Sequence, residues 1–299
     1  MSLLSLLLLA VTALLPATAQ PAASEPSWSY ADQSSWSAQS PQCAQDRQSP
    51  VSLETSEVRD WGDGGRPQLS FAKDLKAGQL TASNTGRTLK VTLRDASDQP
   101  AVQLKGAQPG PVSGLYTMDH MHLHWNDPAG GRGSEHKMNG AFEQAEAHFV
   151  FFNQKYGSVS AALEHADGLA VLGLLLRPDA ALGPTLPTLG LDGDLSQLSQ
   201  LNSHFSRRAD LRPLRGLLRA AMRGLFSYEG SLTTPPCSRV VTWLVSDRPV
   251  SVEATFLEQL RTSLSADAAG TETIQNNWRE LQPLNGRTVV RYTDQDLQQ

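Results

Sequence analysis

The sequence predicts a mainly β fold in which helices are peripheral. Many short segments rich in β-branched and aromatic residues are separated by Gly, Asn, Asp or Pro, which is the pattern of strands joined by tight turns. Few segments have the apolar spacing of a helix, and no linker divides the chain. With 299 residues, 39% of them hydrophobic, the chain can bury a substantial core, and its length alone leaves one or two domains open.

Composition excludes several classes of protein. Charged residues make up only 18% of the chain, and aromatic and β-branched residues are spread along it, which argues against disorder and against a coiled-coil array. The formal net charge is −5, so we expect no nucleic-acid partner.

The first 19 residues have the features of a secretory signal peptide. An apolar run of thirteen residues, Leu3 to Leu15, would rise about 20 Å as a helix, less than the roughly 30 Å of a bilayer core. The small residues Ala17 to Ala19 suit cleavage before Gln20. The start carries no Lys or Arg, so a short buried helix is the alternative. We expect an exported protein without a membrane span, either periplasmic or secreted.

The elements follow in order along the rest of the chain. The lead from Pro21 to Pro50 contains three aromatic residues, which we expect to hold it along the surface of the domain. The predicted strands are Gln68–Phe71, Gln79–Ala82, Thr88–Leu93, Ala101–Leu104, Leu115–Trp125, Glu143–Asn153, Leu169–Arg177, Val240–Val245 and Thr288–Tyr292. The predicted helices are Ser158–Glu164, Pro213–Phe226, with an apolar stripe of Leu214, Leu217, Leu218 and Leu225, and Glu253–Leu264.

Histidines are concentrated in one part of the chain. Of seven, five lie between residues 120 and 148. Because side chains alternate along a strand, His120, His122 and His124 face one way and the apolar residues between them face the other. On a neighbouring strand the same alternation places Glu146 and His148 on one face.

This pattern is compatible with a metal site. Two imidazoles at positions i and i+2, with a third from an adjacent strand, can form three corners of a tetrahedron and leave the fourth for water, as in catalytic zinc sites. A His-x-His pair alone is weak evidence and is often a surface accident. From the pattern alone, both interpretations stay open.

The chain has two cysteines, Cys43 and Cys237. If the protein is exported, an oxidising compartment favours a long-range disulfide between them, whereas two unrelated buried thiols are the alternative.

Several short blocks of the sequence form a distinctive combination. They are His122–Trp125, Gly133–His136, Glu146–His148, Gly230–Cys237 and Asn277–Arg279, extended by Gln48–Pro50, Asn84–Gly86 and Gly168–Gly173. Together these blocks resemble the α-class carbonic anhydrases, in the exported, bacterial form. The resemblance covers nearly all of the chain after the leader. It implies one domain, residues 20–299, built on a large twisted, mostly antiparallel sheet with short peripheral helices and a conical active-site cleft.

The resemblance also implies an activity, the reversible hydration of carbon dioxide to bicarbonate and a proton by attack of zinc-bound hydroxide. One Zn²⁺ per chain would be held by His122, His124 and His148. Thr233 would accept a hydrogen bond from the hydroxide and donate its own to Glu135. We also expect hydrolysis of activated esters as a side reaction and inhibition by sulfonamides and anions. The resemblance implies a monomer or a homodimer.

Further residues receive roles from the same resemblance. Glu146 would orient His148, and the backbone carbonyl of Asn277 would orient His124. The residues expected to surround the substrate are Thr233, Thr234, Val150, Val171, Leu232, Val241 and Trp243. A disulfide between Cys43 and Cys237 would tie the N-terminal segment to the Thr233 loop.

The sequence departs from the family pattern at two positions. His120 stands where the family usually has a glutamine beside the first zinc ligand, and a neutral histidine can still accept a hydrogen bond there. Arg87 stands at the usual position of the proton-shuttling histidine. Because arginine stays protonated, proton transfer would depend on water, buffer, or another cleft residue such as His120 or Tyr30.

Two other classes of function remain open at this point. A non-catalytic binding module of the same fold would be expected to have lost a zinc histidine, and all three are present. A different zinc hydrolase, such as an esterase, would share the nucleophile.

Overall fold

The computed structural model describes residues 28–61, 65–108, 110–178 and 185–293. The predicted signal peptide, residues 1–19, lies outside them. The strands are Ser52–Leu53 (β1), Arg59–Asp60 (β2), Gln68–Phe71 (β3), Gly78–Asn84 (β4), Leu89–Arg94 (β5), Val102–Lys105 (β6), Leu115–Trp125 (β7), Lys137–Met138 (β8), Ala145–Asn153 (β9), Leu169–Arg177 (β10), His204–Ala209 (β11), Leu225–Gly230 (β12), Val241–Ser246 (β13), Val250–Ser251 (β14) and Val290–Tyr292 (β15). The α-helices are Trp36–Gln39 (α1), Val159–Ala162 (α2), Arg212–Ala221 (α3) and Ala254–Ser263 (α4).

Thirteen of the described strands form one large sheet. Its order is β11-β4-β5-β7-β9-β10-β13-β12-β15-β2, with β6 joining β3 to β7 and with β14 beside β10. Most neighbours are antiparallel, and β10 is parallel to β13 and β14, as β15 is to β2. The prediction of a mainly β, mostly antiparallel fold with few short helices is confirmed.

The central strands separate two apolar clusters. On β9, Phe149 and Phe151 belong to the larger cluster and Val150 to the smaller one on the other face. On β7, Met121, Leu123 and Trp125 also belong to the larger cluster. The histidines between them therefore share the other face with the smaller cluster, as the alternation predicts.

One predicted helix is wrong at its end. Helix α3 stops at Ala221, and Leu225 and Phe226 begin strand β12 instead. Leu225 pairs with Ser246 of β13 and Tyr292 of β15, contacts made by residues far along the chain. These long-range hydrogen bonds override the local helical spacing of leucine.

The aromatic residues of the N-terminal segment pack in one cluster with Cys237 of the domain, as expected. The rings of Trp28, Tyr30 and Trp36 meet edge to face with centroids 5.2–5.9 Å apart. Cys43 and Cys237 form a disulfide bond, which confirms their pairing. Within the described ranges, no helix is both long and apolar enough to cross a bilayer.

Candidate metal centre

Strands β7 and β9 bring three histidines together. His122 pairs directly with His148 in the β7–β9 register, and His124 is two residues further along β7. The Nδ1 atom of His148 lies 3.1 Å from Nε2 of His124 and 3.3 Å from Nε2 of His122. Three ring nitrogens thus converge on one point.

The convergence fits a tetrahedral zinc ion. Zinc–nitrogen bonds of about 2.0–2.1 Å place tetrahedral ligand atoms about 3.3 Å apart, close to the separations of these nitrogens. The other ring nitrogen of His124, Nδ1, lies 2.6 Å from the Asn277 carbonyl oxygen. The other ring nitrogen of His148, Nε2, lies 2.7 Å from Oε1 of Glu146. Because both partners are acceptors, these nitrogens carry the protons, and the converging nitrogens keep their lone pairs.

Burial also favours metal binding by these rings. Desolvation lowers the pKa of His124 to about 4 and holds the pKa of His122 well below its usual range. The pKa of His148 is lowered for the same main reason. All three rings are therefore neutral at neutral pH, the form that binds a metal.

Glu146 makes four hydrogen-bond contacts behind the histidines. Its Oε2 accepts from the backbone N–H groups of Glu135 and His136, at 2.9 and 2.8 Å, and its Oε1 lies 2.7 Å from both His136 Nδ1 and His148 Nε2. Burial acts to raise the pKa of Glu146, but the adjacent imidazoles outweigh it and hold that pKa well below its usual range.

His136 is occupied at both ring nitrogens. Nδ1 contacts Glu146, and Nε2 lies 2.7 Å from the Tyr228 hydroxyl. The side chains of His136, Glu146 and His148 also meet metal-ligand spacing, but their atoms already pair with one another. A structural role for His136 follows from these contacts.

Glu135 lies beside the converging nitrogens. Its Oε1 accepts from the backbone N–H of Arg279 at 2.9 Å, and its Oε2 is 3.5 Å from Nε2 of His124. Among the described residues Oε2 has no hydrogen bond of ordinary length, although the Thr233 side chain is one of the groups that lower the pKa of Glu135. Burial dominates and raises that pKa to about 7.

Comparison with known proteins agrees with this geometry. The sequence model of the eukaryotic-type carbonic anhydrase family matches residues 31–293. The chain belongs to the carbonic anhydrase family. It is 31% identical to carbonic anhydrase 3 of Bos taurus over 271 residues, and 31% identical to carbonic anhydrase 3 of Homo sapiens over 266. Each alignment covers 88% of this chain and 96% of the relative.

The zinc-type site of this carbonic anhydrase opens into a cavity of about 230 Å³. Its described walls include the N-terminal segment, β5, β7 and the loop after β12. The lining residues are Trp28, Tyr30, Thr85, Arg87, Thr88, Lys90, His120, His122, His124 and Thr234. Burial holds the pKa of Tyr30, on the cavity wall, well above its usual range.

The residues expected to form an apolar wall belong to one cluster. They are Val150, Val171, Val241 and Trp243, all buried, with Leu232 packed against them. The ring of Trp243 lies 4.8 Å from that of His148, which connects the cluster to the histidines.

His120 contacts His122, the first of the three converging histidines. Nε2 of His120 lies 3.1 Å from Nδ1 of His122, so the predicted contact forms. On the other side of the ring, Nδ1 lies 2.6 Å from Oδ2 of Asp119. This contact with His120 lowers the pKa of Asp119.

Two residues of this carbonic anhydrase site were missed by sequence reasoning. Besides holding Glu135, Arg279 donates to Gln48 Oε1 and the Ser49 carbonyl at 2.9 Å, and to the Cys43 carbonyl at 3.1 Å. Arg279 could have been found from the sequence, because it is the last residue of the Asn277–Arg279 block. Asp119 had no such signal.

Proposed function

We propose that this carbonic anhydrase hydrates carbon dioxide reversibly at one Zn²⁺ held by His122, His124 and His148. The observation that carries the proposal is the convergence of three neutral imidazole nitrogens, 3.1 and 3.3 Å apart along two edges. A zinc ion there supplies a nucleophile at neutral pH by lowering the pKa of a water molecule, as it does in carbonic anhydrases generally.

The residues behind the histidines orient them for this metal. Glu146 holds His148, the Asn277 carbonyl holds His124, and His120 holds His122. Fixing each ring by its outer nitrogen raises the basicity of the inner nitrogen and prevents rotation.

Thr233 and Glu135 would aim the nucleophile. In this proposal the Thr233 hydroxyl donates a hydrogen bond to the ionised carboxylate of Glu135, so it can only accept a hydrogen bond from the nucleophile, which leaves a lone pair of the nucleophile facing the substrate. Support comes from the position of Glu135 Oε2, which lies 3.5 Å from the His124 ligand nitrogen and has an open acceptor site among the described residues.

An uncharged substrate needs a dry wall and no charged anchor. We assign that role to the apolar cluster of Val150, Val171, Leu232, Val241 and Trp243, and we assign Thr234, which lines the cavity, to the substrate pocket as well. The contact between Trp243 and His148 supports this assignment, because it places apolar surface directly beside a ligand.

The test is to measure zinc content and CO2 hydration in the purified protein and in His122→Ala. We expect about one zinc per chain and an activity that a chelator or a sulfonamide abolishes, with both lost in His122→Ala. His204→Ala is the matched control, since His204 is an exposed histidine on β11. A wild type that is zinc-free and inactive would overturn the proposal, and zinc with only ester hydrolysis would favour the hydrolase class.

We also propose that the protein functions outside the cytoplasm, in the periplasm or as a secreted protein. The Cys43–Cys237 disulfide supports this, because such bonds persist in oxidising compartments. N-terminal sequencing of the protein from the producing cells tests the predicted cleavage before Gln20.

A further inference from the structure

Asp119 is joined to the candidate zinc site through two histidine rings. Its Oδ2 lies 2.6 Å from Nδ1 of His120, and Nε2 of His120 lies 3.1 Å from Nδ1 of His122. The two rings are stacked, with centroids 5.2 Å apart and planes inclined by 29°. A carboxylate, an imidazole and a candidate metal ligand thus form one continuous chain.

A strand irregularity makes this contact possible. On a regular strand, neighbouring residues face opposite sides of the sheet, so the side chains of Asp119 and His120 would point apart. The β7–β9 register shifts between Met118 and His120, which marks a bulge with Asp119 at its centre. A bulge redirects the side chain at its extra residue, and here it brings the carboxylate onto the His120 ring.

The chain of contacts allows only one arrangement of protons if His122 binds a metal. A neutral imidazole has one N–H donor and one acceptor nitrogen. His122 must keep its Nε2 lone pair for the metal, so its Nδ1 carries the proton and Nε2 of His120 must accept it. Nδ1 of His120 then carries the other proton and needs an acceptor.

An ionised carboxylate is the side chain best suited to that need, because it accepts and cannot donate. Without the Asp119 carboxylate, His120 could carry its proton on Nε2 instead. That N–H group would then face the N–H group of His122 Nδ1, and no hydrogen bond could form between the two rings. The ammonium of Lys90 lies 3.9 Å from Asp119 Oδ2 and favours the ionised form of this carboxylate.

We propose that Asp119 is a positioning residue of this carbonic anhydrase, which fixes the tautomer of His120 so that His120 accepts from His122 and holds it ready for zinc. This inference rests on the proposed zinc site. Asp119 acts through His120 and His122 and does not itself contact the metal or the substrate.

A double-mutant cycle on zinc affinity tests the proposal. Asp119→Ala should weaken zinc binding about tenfold, at the lower end of the range for residues that orient metal ligands. In His120→Gln the glutamine carbonyl can accept from His122 directly and needs no carboxylate, so adding Asp119→Ala should change the zinc Kd less than twofold. Equal effects of Asp119→Ala in both backgrounds would overturn the relay.

A second variant separates tautomer control from simple loss of packing. Asp119→Asn keeps an oxygen that can accept from His120 Nδ1, so it should retain more zinc affinity than Asp119→Ala at a similar melting temperature. If both variants bind zinc as tightly as the wild type, the proposal is wrong. Glu164→Ala, which removes an exposed carboxylate on the segment after α2, is the control for charge.

A spectroscopic readout tests the proton positions themselves. In the zinc-loaded protein, ¹⁵N chemical shifts should show His120 protonated at Nδ1 and unprotonated at Nε2, and Asp119→Ala should mix the two tautomers. His120 protonated at Nε2 in the wild type would contradict the relay even if zinc binds. A wild type that binds no zinc would instead refute the proposed function, so the two failures are distinguishable.

Discussion

The guanidinium group of Arg87 lies over the indole ring of Trp28, 3.9 Å from its centroid, and donates to the Trp28 carbonyl at 3.0 Å. This pair joins the turn between β4 and β5 to the N-terminal segment at the wall of the cavity beside the histidines. An arginine side chain is therefore held in place at the wall of the cavity.

Replacing Arg87 with histidine should accelerate turnover when buffer is scarce. A histidine at the cavity wall can accept and release protons near neutral pH, whereas arginine cannot. We expect wild-type kcat to rise with buffer concentration, and Arg87→His to have the higher kcat in dilute buffer, measured by stopped-flow CO2 hydration.

Arg87→Ala is the matched control for this prediction. It removes the contact with Trp28 without adding a titratable group, so its kcat in dilute buffer should not rise. If Arg87→His shows no increase, proton transfer does not limit this enzyme.

The disulfide should contribute stability without being required for metal binding. The bond joins two cysteines 194 positions apart in the sequence, and closing a loop of that length stabilises the fold by about 5 kcal/mol on a chain-entropy basis. Thermal unfolding with and without reductant, and in Cys43→Ser/Cys237→Ser, should show a lower Tm with zinc still bound. An unchanged Tm would contradict the prediction.

Glu146→Gln should reduce both stability and zinc affinity. The glutamate accepts hydrogen bonds from two backbone N–H groups and lies against two imidazole rings. The NH2 group of a glutamine would face some of these N–H groups, and two donors cannot form a hydrogen bond. We expect a loss of about 3 kcal/mol in unfolding free energy, typical of breaking a buried charged network. The expected loss in zinc affinity is about 10–100-fold. Urea titration measures the unfolding free energy, and chelator competition measures the zinc affinity. Wild-type values of both quantities in Glu146→Gln would show that Glu146 does not hold the histidines in place.

Thr233→Val should impair catalysis while sparing the metal. Valine keeps the shape but cannot donate to Glu135 or accept from the nucleophile, so kcat/KM should fall on the order of a hundredfold, as for a misaligned reacting group. Zinc content should stay at the wild-type level. A variant that loses zinc along with activity would show that Thr233 acts on the metal site instead.

Two buried tyrosines predict the response to alkaline pH. Burial raises the pKa of Tyr116 and of Tyr292 to about 12, above the usual value near 10. Because the folded pKa is the higher one, each tyrosine's contribution is complete below pH 10 and is lost as pH rises toward 12. The free energy of unfolding should fall over this interval.

Phenylalanine variants separate this effect from hydrogen bonding. Tyr116 donates to the Asp167 carbonyl at 2.9 Å, so Tyr116→Phe should lose about 1 kcal/mol at pH 8 and then decline less than wild type up to pH 11. The Tyr292 hydroxyl has no partner among the described residues, so Tyr292→Phe should keep its stability at pH 8. Identical declines in all three proteins, measured by urea unfolding, would exclude these hydroxyls as the cause.

The sequence predicted the strands whose signal is local. Leu115–Trp125 and Leu169–Arg177 match β7 and β10 at both ends, since alternation marks the first and a continuous apolar run marks the second, which is buried on both faces. Strand β11 was missed because it alternates between exposed and half-buried residues and forms by pairing with β4, more than a hundred residues away.

In the candidate site, too, the sequence predicted the residues that have a local signal and missed one that depends on long-range pairing. The three histidines and Glu146 follow from alternation and from the family blocks, and their contacts form as expected. Asp119 could not be found in this way, because a regular strand would turn it away from His120. Its position depends on a bulge created by long-range pairing, which no local pattern encodes.

Asn277 and Arg279 have a consequence for how the protein is made. Asn277 accepts from His124 through its carbonyl and from the Trp125 N–H through its side chain, while Arg279 holds Glu135 and the N-terminal segment. A nascent chain that ends before residue 277 contains every metal-binding histidine but lacks the groups that orient one of them. Synthesis from the N-terminus therefore delays the finished arrangement of the histidines until residues 277 to 279 have been translated.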